Sequence, residues 1–157
     1  MQREFYELRC YRMHPGTRLT AAVNPERLHG YLSRAFLPAL KRHGVGPVGV
    51  FTEITVDKAT GSSAPLVPSP VWMLTPFSSM EAFVRASTET IQDPEVQRAG
   101  QEYLHAPKSS PAFERVDSWF LIAFPGHPRL RLPSFSRERV VTRVFEMRDY
   151  ESHSEER

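Results

Sequence analysis

Over residues 4–12 the chain alternates in steps of two, with Tyr6, Leu8 and Cys10 on one side and Phe5, Glu7, Arg9 and Tyr11 on the other. That period predicts a strand, ended by a turn at His14-Pro15-Gly16. The next pattern is helical: Leu28, Leu32, Ala35, Phe36, Ala39 and Leu40 recur at spacings of three and four, forming one apolar stripe suited to packing on a sheet. Asn24 is placed to cap this helix, Pro25 to take its first position, where a missing N–H costs nothing, and Gly44 to stop it. Pro38 is expected to bend the helix without ending it, because the stripe continues beyond it.

Val48, Val50, Phe51, Ile54 and Val56 predict a second strand rich in β-branched residues. Residues 57–70, with their serines, prolines and glycine, predict an exposed, mobile loop. Val71 to Thr75 reads as a short strand, and Ser78 with Glu81 as a capping box opening a helix that carries Met80, Phe83 and Val84. Asp93-Pro94 opens another helix, running through Val96 and Tyr103 towards Pro107. Residues 113–124 predict the longest strand, apolar enough at its end to be central and buried on both faces. The order is the βαββαβ of a ferredoxin-like α+β layer with helices on one face. The uncovered face, assigned Phe5, Tyr11 and Phe51, is too apolar to be left wet, and an equivalent sheet of a second copy is expected to cover it.

Composition narrows the classes. At 157 residues the chain suits one domain with a real core. Its 40% apolar and 24% charged residues are those of a folded protein. Lysine plus arginine exceed aspartate plus glutamate by 20 to 18, too narrow a margin for a dedicated nucleic-acid binder. The lone Cys10 cannot form an internal disulfide. No apolar run reaches the length of a membrane span, and a strand beginning almost at Met1 leaves no room for a signal peptide, so a cytoplasmic location is expected.

One segment returns. Phe5-Tyr6-Glu7-Leu8-Arg9-Cys10-Tyr11 is echoed by Val144-Phe145-Glu146-Met147-Arg148-Asp149-Tyr150, sharing Glu, Leu or Met, Arg, any residue, Tyr. The first copy, the helix segment Phe36-Leu37-Pro38-Ala39-Leu40, and the strand Gly46-Pro47-Val48-Gly49-Val50-Phe51-Thr52-Glu53 together resemble the NIPSNAP family. Phe77-Ser78-Ser79-Met80-Glu81-Ala82-Phe83 and Asp93-Pro94 look like that family's later helix openings. The resemblance implies a dimeric α/β barrel, often in tandem copies, with no settled enzymatic activity. It divides the chain into a NIPSNAP-like domain (1–125), an Arg/Pro-rich linker (126–142), and a segment (143–157) that is either the first strand of a truncated second repeat or an extra edge strand. One departure concerns the third strand, where many family members carry His and Trp and this chain places Met73 and Thr75. Trp72 is expected to face the other way.

Candidate chemistry is sparse. His14, His29, His43, His105, His127 and His153 show no metal-ligand spacing, and no motif for a cofactor is found. Cys10, expected to point with Leu8 towards the helices, has no neighbouring base in the sequence. Glu7 and Arg9 share a strand face and should be paired, either as an ion pair that fixes register or as a guanidinium that holds an anionic ligand, with Glu53 as an alternative partner of Arg9. Arg129, Arg131, Arg137, Arg139 and Arg143 read as a solvated basic linker. The expectation is a homodimeric binding or interaction module for a protein partner or a small hydrophobic ligand. The alternative is a cofactor-independent, monooxygenase-like enzyme acting on a small hydrophobic or aromatic metabolite. In either case Tyr6, Arg9, Tyr11 and Glu53 are the candidate binding residues.

Overall fold

The computed structural model describes residues 2–13, 23–138 and 143–150. The predicted His14-Pro15-Gly16 turn, Arg139 of the basic run, and residues 151–157 lie outside them. Strand β1 (Phe5–Arg12) runs between two antiparallel neighbours, β5 (Val71–Phe77) and β6 (Arg115–Ile122). Strand β2 (Gly49–Thr52) adds to the far side of β5, giving the order β2-β5-β1-β6. Between β2 and β5 stands a separate hairpin of β3 (Ile54–Val56) and β4 (Ser63–Pro65). With the hairpin set aside, the four sheet strands follow the ferredoxin-like order.

The first helical stretch forms as its pattern predicts. In α1 (Pro25–Tyr31) the Asn24 side chain accepts the Glu26 N–H at 3.1 Å, so one orphan donor of the first turn is satisfied. The helix continues through Pro38, but by a widened π turn (Leu32–Phe36) leading into α2 (Leu37–Arg42). Pro38 has no N–H for the Arg34 carbonyl and its ring crowds that group, and the Leu37 N–H instead reaches five residues back to Leu32. Gly44, at φ +73, takes the left-handed turn that ends the helix. Helix α3 (Met80–Gln92) starts one residue later than the capping box suggests: Ser79, not Ser78, accepts the Ala82 N–H. Asp93 caps α4 (Pro94–Ala99) through the Glu95 N–H, and Gly100 separates α4 from α5 (Gln101–Leu104).

Tyr11, Val71 and Met73 of the sheet pack against Leu28, Leu32, Ala35, Ala39 and Leu40 of the first helical stretch and Val96 of α4. Three expectations are corrected here. The face of β1 that meets the helices is Phe5-Glu7-Arg9-Tyr11, and Tyr6, Leu8 and Cys10 lie on the other, so the two sides are exchanged. Alternation shows that two faces exist but not which one the helices cover, and here both were apolar enough to qualify. The strand of residues 113–124 is an edge, not the centre, and its Trp119 to Ile122 run remains exposed; β1 holds the centre instead. The span 57–70 is not a structureless loop. Asp57 accepts the Ala59 N–H and the Thr60 hydroxyl, both at 2.8 Å, closing a turn between β3 and β4, while the predicted second strand breaks at Glu53.

Gly100 sits where α5, α4 and Tyr31 converge. A Cβ there would lie 2.6 Å from the Val96 carbonyl oxygen and 3.0 Å from the Tyr31 ring. Gly100→Ala is expected to lower stability by about 1–3 kcal/mol, the usual range for overpacking. Urea unfolding should show a lower midpoint with an unchanged slope.

Candidate functional site

Beneath the helices, the inner face of β1 carries a closed polar network. In a strand, residues two apart project side by side, so Glu7, Arg9 and Tyr11 stand in a row. Arg9 Nη2 donates to Glu7 Oε1 at 2.8 Å and to Oε2 at 3.0 Å, and Arg9 Nε donates to Oε1 at 3.1 Å. Its Nη1 donates to the Tyr11 hydroxyl at 3.1 Å. From β6, across the register that pairs Arg9 with Ser118, the Ser118 hydroxyl donates to Glu7 Oε1 at 2.8 Å. The Phe36 ring of the π turn lies 5.6 Å from the guanidinium carbon, within cation–π range. Burial alone would favour the neutral guanidine, yet Tyr11 and Glu7 outweigh it and hold Arg9 firmly charged.

Arg9 is paired with Glu7 on its own strand, not with Glu53, and an incoming anion would have to displace a bidentate carboxylate. Met73 and Thr75, the positions where the sequence departs from the family pattern, lie on this same buried face beside Arg9 and Glu7. The Thr75 hydroxyl is buried with no hydrogen-bond partner. Trp72 faces the opposite side, as expected, with Cys10 as its neighbour in register.

The four candidate residues therefore do not form one site. Arg9 and Tyr11 share the inner network. Tyr6 lies on the outer face, donating to Glu4 Oε2 at 3.0 Å, and Glu4 also accepts the Leu130 N–H at 2.7 Å. Glu53 stands at the far end of that face, where its Oε1 accepts the Trp72 indole N–H at 2.8 Å. Two clefts are found elsewhere: one of about 780 Å³ along α1, lined by Asn24, Arg27, Ser33, Arg34 and Glu102, and one of about 130 Å³ beside Glu4, His43 and Arg85. Neither is lined by Tyr6, Arg9, Tyr11 or Glu53. Among the described residues no cluster of His, Cys, Asp or Glu could hold a metal ion.

The outer face has a chemistry of its own that the sequence concealed. Trp72 and Trp119 stack across β1 with centroids 5.9 Å apart, and Arg12 lies over Trp72 at 5.8 Å. Asp117 receives Arg12 at 2.9 Å and Arg115 at 2.5 Å, and Arg12 above all holds its carboxyl below the usual range. Cys10 is buried in this face, and desolvation pushes its thiol pKa up, which keeps it protonated and unreactive. Both tryptophans belong to strands recognised in the sequence; what could not be read was that β1 lies between those strands and brings the rings together.

Sequence comparison matches no family model and no curated protein. Among solved structures, the fold matches an uncharacterized NIPSNAP-like domain protein from Burkholderia xenovorans at 17% identity and a TM-score of 0.54, over 83% of this chain and 94% of that one. A NIPSNAP family protein of unknown function from Agrobacterium tumefaciens aligns at 16% identity and a TM-score of 0.46, over 78% and 89%. At 17% identity the likeness to the Burkholderia protein is one of fold, the ferredoxin-like α+β layer that the order of elements predicts.

Two outcomes follow for the inner face. Arg9→Met leaves Glu7 mostly buried with Ser118 alone, and is expected to cost about 3 kcal/mol, the low end for a broken buried pair because Arg9 keeps a quarter of its surface exposed. Combining it with Glu7→Gln should cost less than the two single changes added, a coupling that a double-mutant cycle in chemical denaturation measures directly. Burial pushes the Tyr31 phenol up to about 12, and it raises that of Tyr103, stacked on it at 4.0 Å, as well. Both groups hold their protons more tightly when folded, so their contribution is whole below pH 10 and is lost as pH rises from 10 towards 12. Phenolate absorbance should show these two tyrosines ionising above the ordinary tyrosine value of about 10, as stability falls over the same interval.

Proposed function

We propose that this chain is a NIPSNAP-like homodimeric binding module in which two sheets close face to face into an α/β barrel. The carrying observation is the outer sheet face: Trp119 and Leu121 keep 41% and 43% of their surface exposed beside Trp72, Leu8 and Leu74. An apolar sheet face of this kind is stable in water when another layer covers it. Among the described residues, the stretch after β6 runs back along the start of β1, where the Glu4 N–H donates to the Pro128 carbonyl at 2.8 Å, and Phe145 touches Phe51 of β2, while Trp119 and Leu121 stay exposed. A second copy supplies the same aromatic surface by symmetry.

On this reading the inner network fixes the register of β1, and the outer face makes the contact. No helix among the described residues is long and apolar enough to cross a membrane. A free, buried thiol at Cys10 suits a reducing, cytoplasmic setting. The enzyme alternative needs a cavity between sheet and helices with converging polar groups, and it draws no support from the two clefts found or from an Arg9 already engaged.

Sedimentation at micromolar concentration tests the pairing. The native chain is expected to be a dimer. Trp119→Glu, which sets a charge in the exposed apolar face, should raise the dissociation constant on the order of 100-fold, as loss of an aromatic anchor does. A native chain that stays monomeric would sink the proposal.

A further inference from the structure

Residues 143–150 carry the side-chain programme of β1 without a sheet to hold it. In β1, Arg9 brackets Glu7 and Tyr11; in the echo, Arg148 Nη2 donates to Glu146 Oε2 at 2.8 Å, and its Nη1 lies 3.5 Å from the Tyr150 hydroxyl. Bracketing at intervals of two needs extended backbone, so the repeated sequence is matched by repeated local geometry. The surroundings differ. Arg9 and Glu7 are covered by helices, whereas Arg148 and Glu146 keep most of their surface in water.

Among the described residues, no backbone hydrogen bond joins residues 143–150 to another segment. Val144, Phe145, Met147 and Tyr150 are all more than half exposed. The segment is nonetheless led to a definite place. At its base Arg143 stacks on Phe135 and donates to the Phe135 carbonyl, and Phe145 meets Phe51 with centroids 5.2 Å apart. Phe51 belongs to β2, which among the described residues pairs only with β5, along one of its two edges.

We infer that residues 143–150 are a donor strand that pairs along the free edge of β2 in a second copy of this chain. The inference rests on the homodimer proposed above and adds a reciprocal exchange to it. Among the described residues of its own chain the segment reaches β2 and stays unpaired, with its apolar side chains wet. Across a two-fold axis each copy gives one strand and receives one, which satisfies the unpaired backbone of both the segment and the edge. With Phe145 beside Phe51, Met147 continues the apolar outer face, and Glu146, Arg148 and Tyr150 turn to the side of Val50 and Thr52.

Hydrogen exchange on the full chain, measured above and below its dimerisation concentration, tests this. Amides 144–150 and those of 49–52 that point away from β5 should be protected together in the dimer, and both sets should exchange rapidly in the Trp119→Glu monomer. Met147→Pro removes a donor from the segment. It should leave a folded dimer, weaken it roughly tenfold, and abolish the shared protection. A native dimer in which 144–150 exchange as fast as in the monomer would overturn strand donation and leave the face-to-face pairing standing. Protection that persists unchanged in the monomer would place the strand in its own chain and likewise overturn the exchange, whereas a chain monomeric at every concentration overturns both.

Discussion

A guanidinium set between a sheet and a helix layer has to be neutralised where it stands, and the Glu7–Arg9 pair does this within one strand. Because the partners are two residues apart, the pairing suits an extended β1, in which both side chains share one face. Ser118 ties the pair to β6, Tyr11 extends it into the aromatic cluster with Phe113, and Phe36 presses on it from the π turn. Slipping β1 by one residue would bring Leu8 and Cys10 under the helices and put both charges on the opposite face. The observed register is the one in which the pair keeps these partners.

That choice determines what is left outside. With the charged residues turned inward, the opposite face of β1 offers Tyr6, Leu8 and Cys10, and the flanking strands bring Trp72 and Trp119 together over it. Polar groups sit at its ends, Glu4 with Tyr6 at one and Arg12, Asp117 and Glu53 at the other. The centre is apolar and the rim is charged.

Local signals carried the elements well and their placement badly. Asn24, Pro25, Gly44 and Asp93 act as the start and stop residues their chemistry suggests, because a cap depends on a few neighbouring backbone groups. Position in the sheet depends on distant partners. The run Trp119-Phe120-Leu121-Ile122 reads as a buried centre, yet it forms an edge whose cover is not supplied by the described chain. The exchanged faces of β1 have the same origin, since alternation has a period but no absolute sense. Tyr6, Arg9, Tyr11 and Glu53 were grouped by chemistry on neighbouring strands, and the sheet separated them by parity: Arg9 and Tyr11 inward, Tyr6 and Glu53 outward. The two-residue rhythm was legible; the residue facing across each rung was not.

Cys10 gives this architecture a built-in clock. It is the chain's one thiol, fully buried near the middle of the central strand, and its environment disfavours the reactive thiolate. An alkylating reagent can reach it only when the Trp72 and Trp119 rings beside it on the outer face move aside. The rate of its modification therefore counts uncovering of that face, separately from any fraying at the periphery.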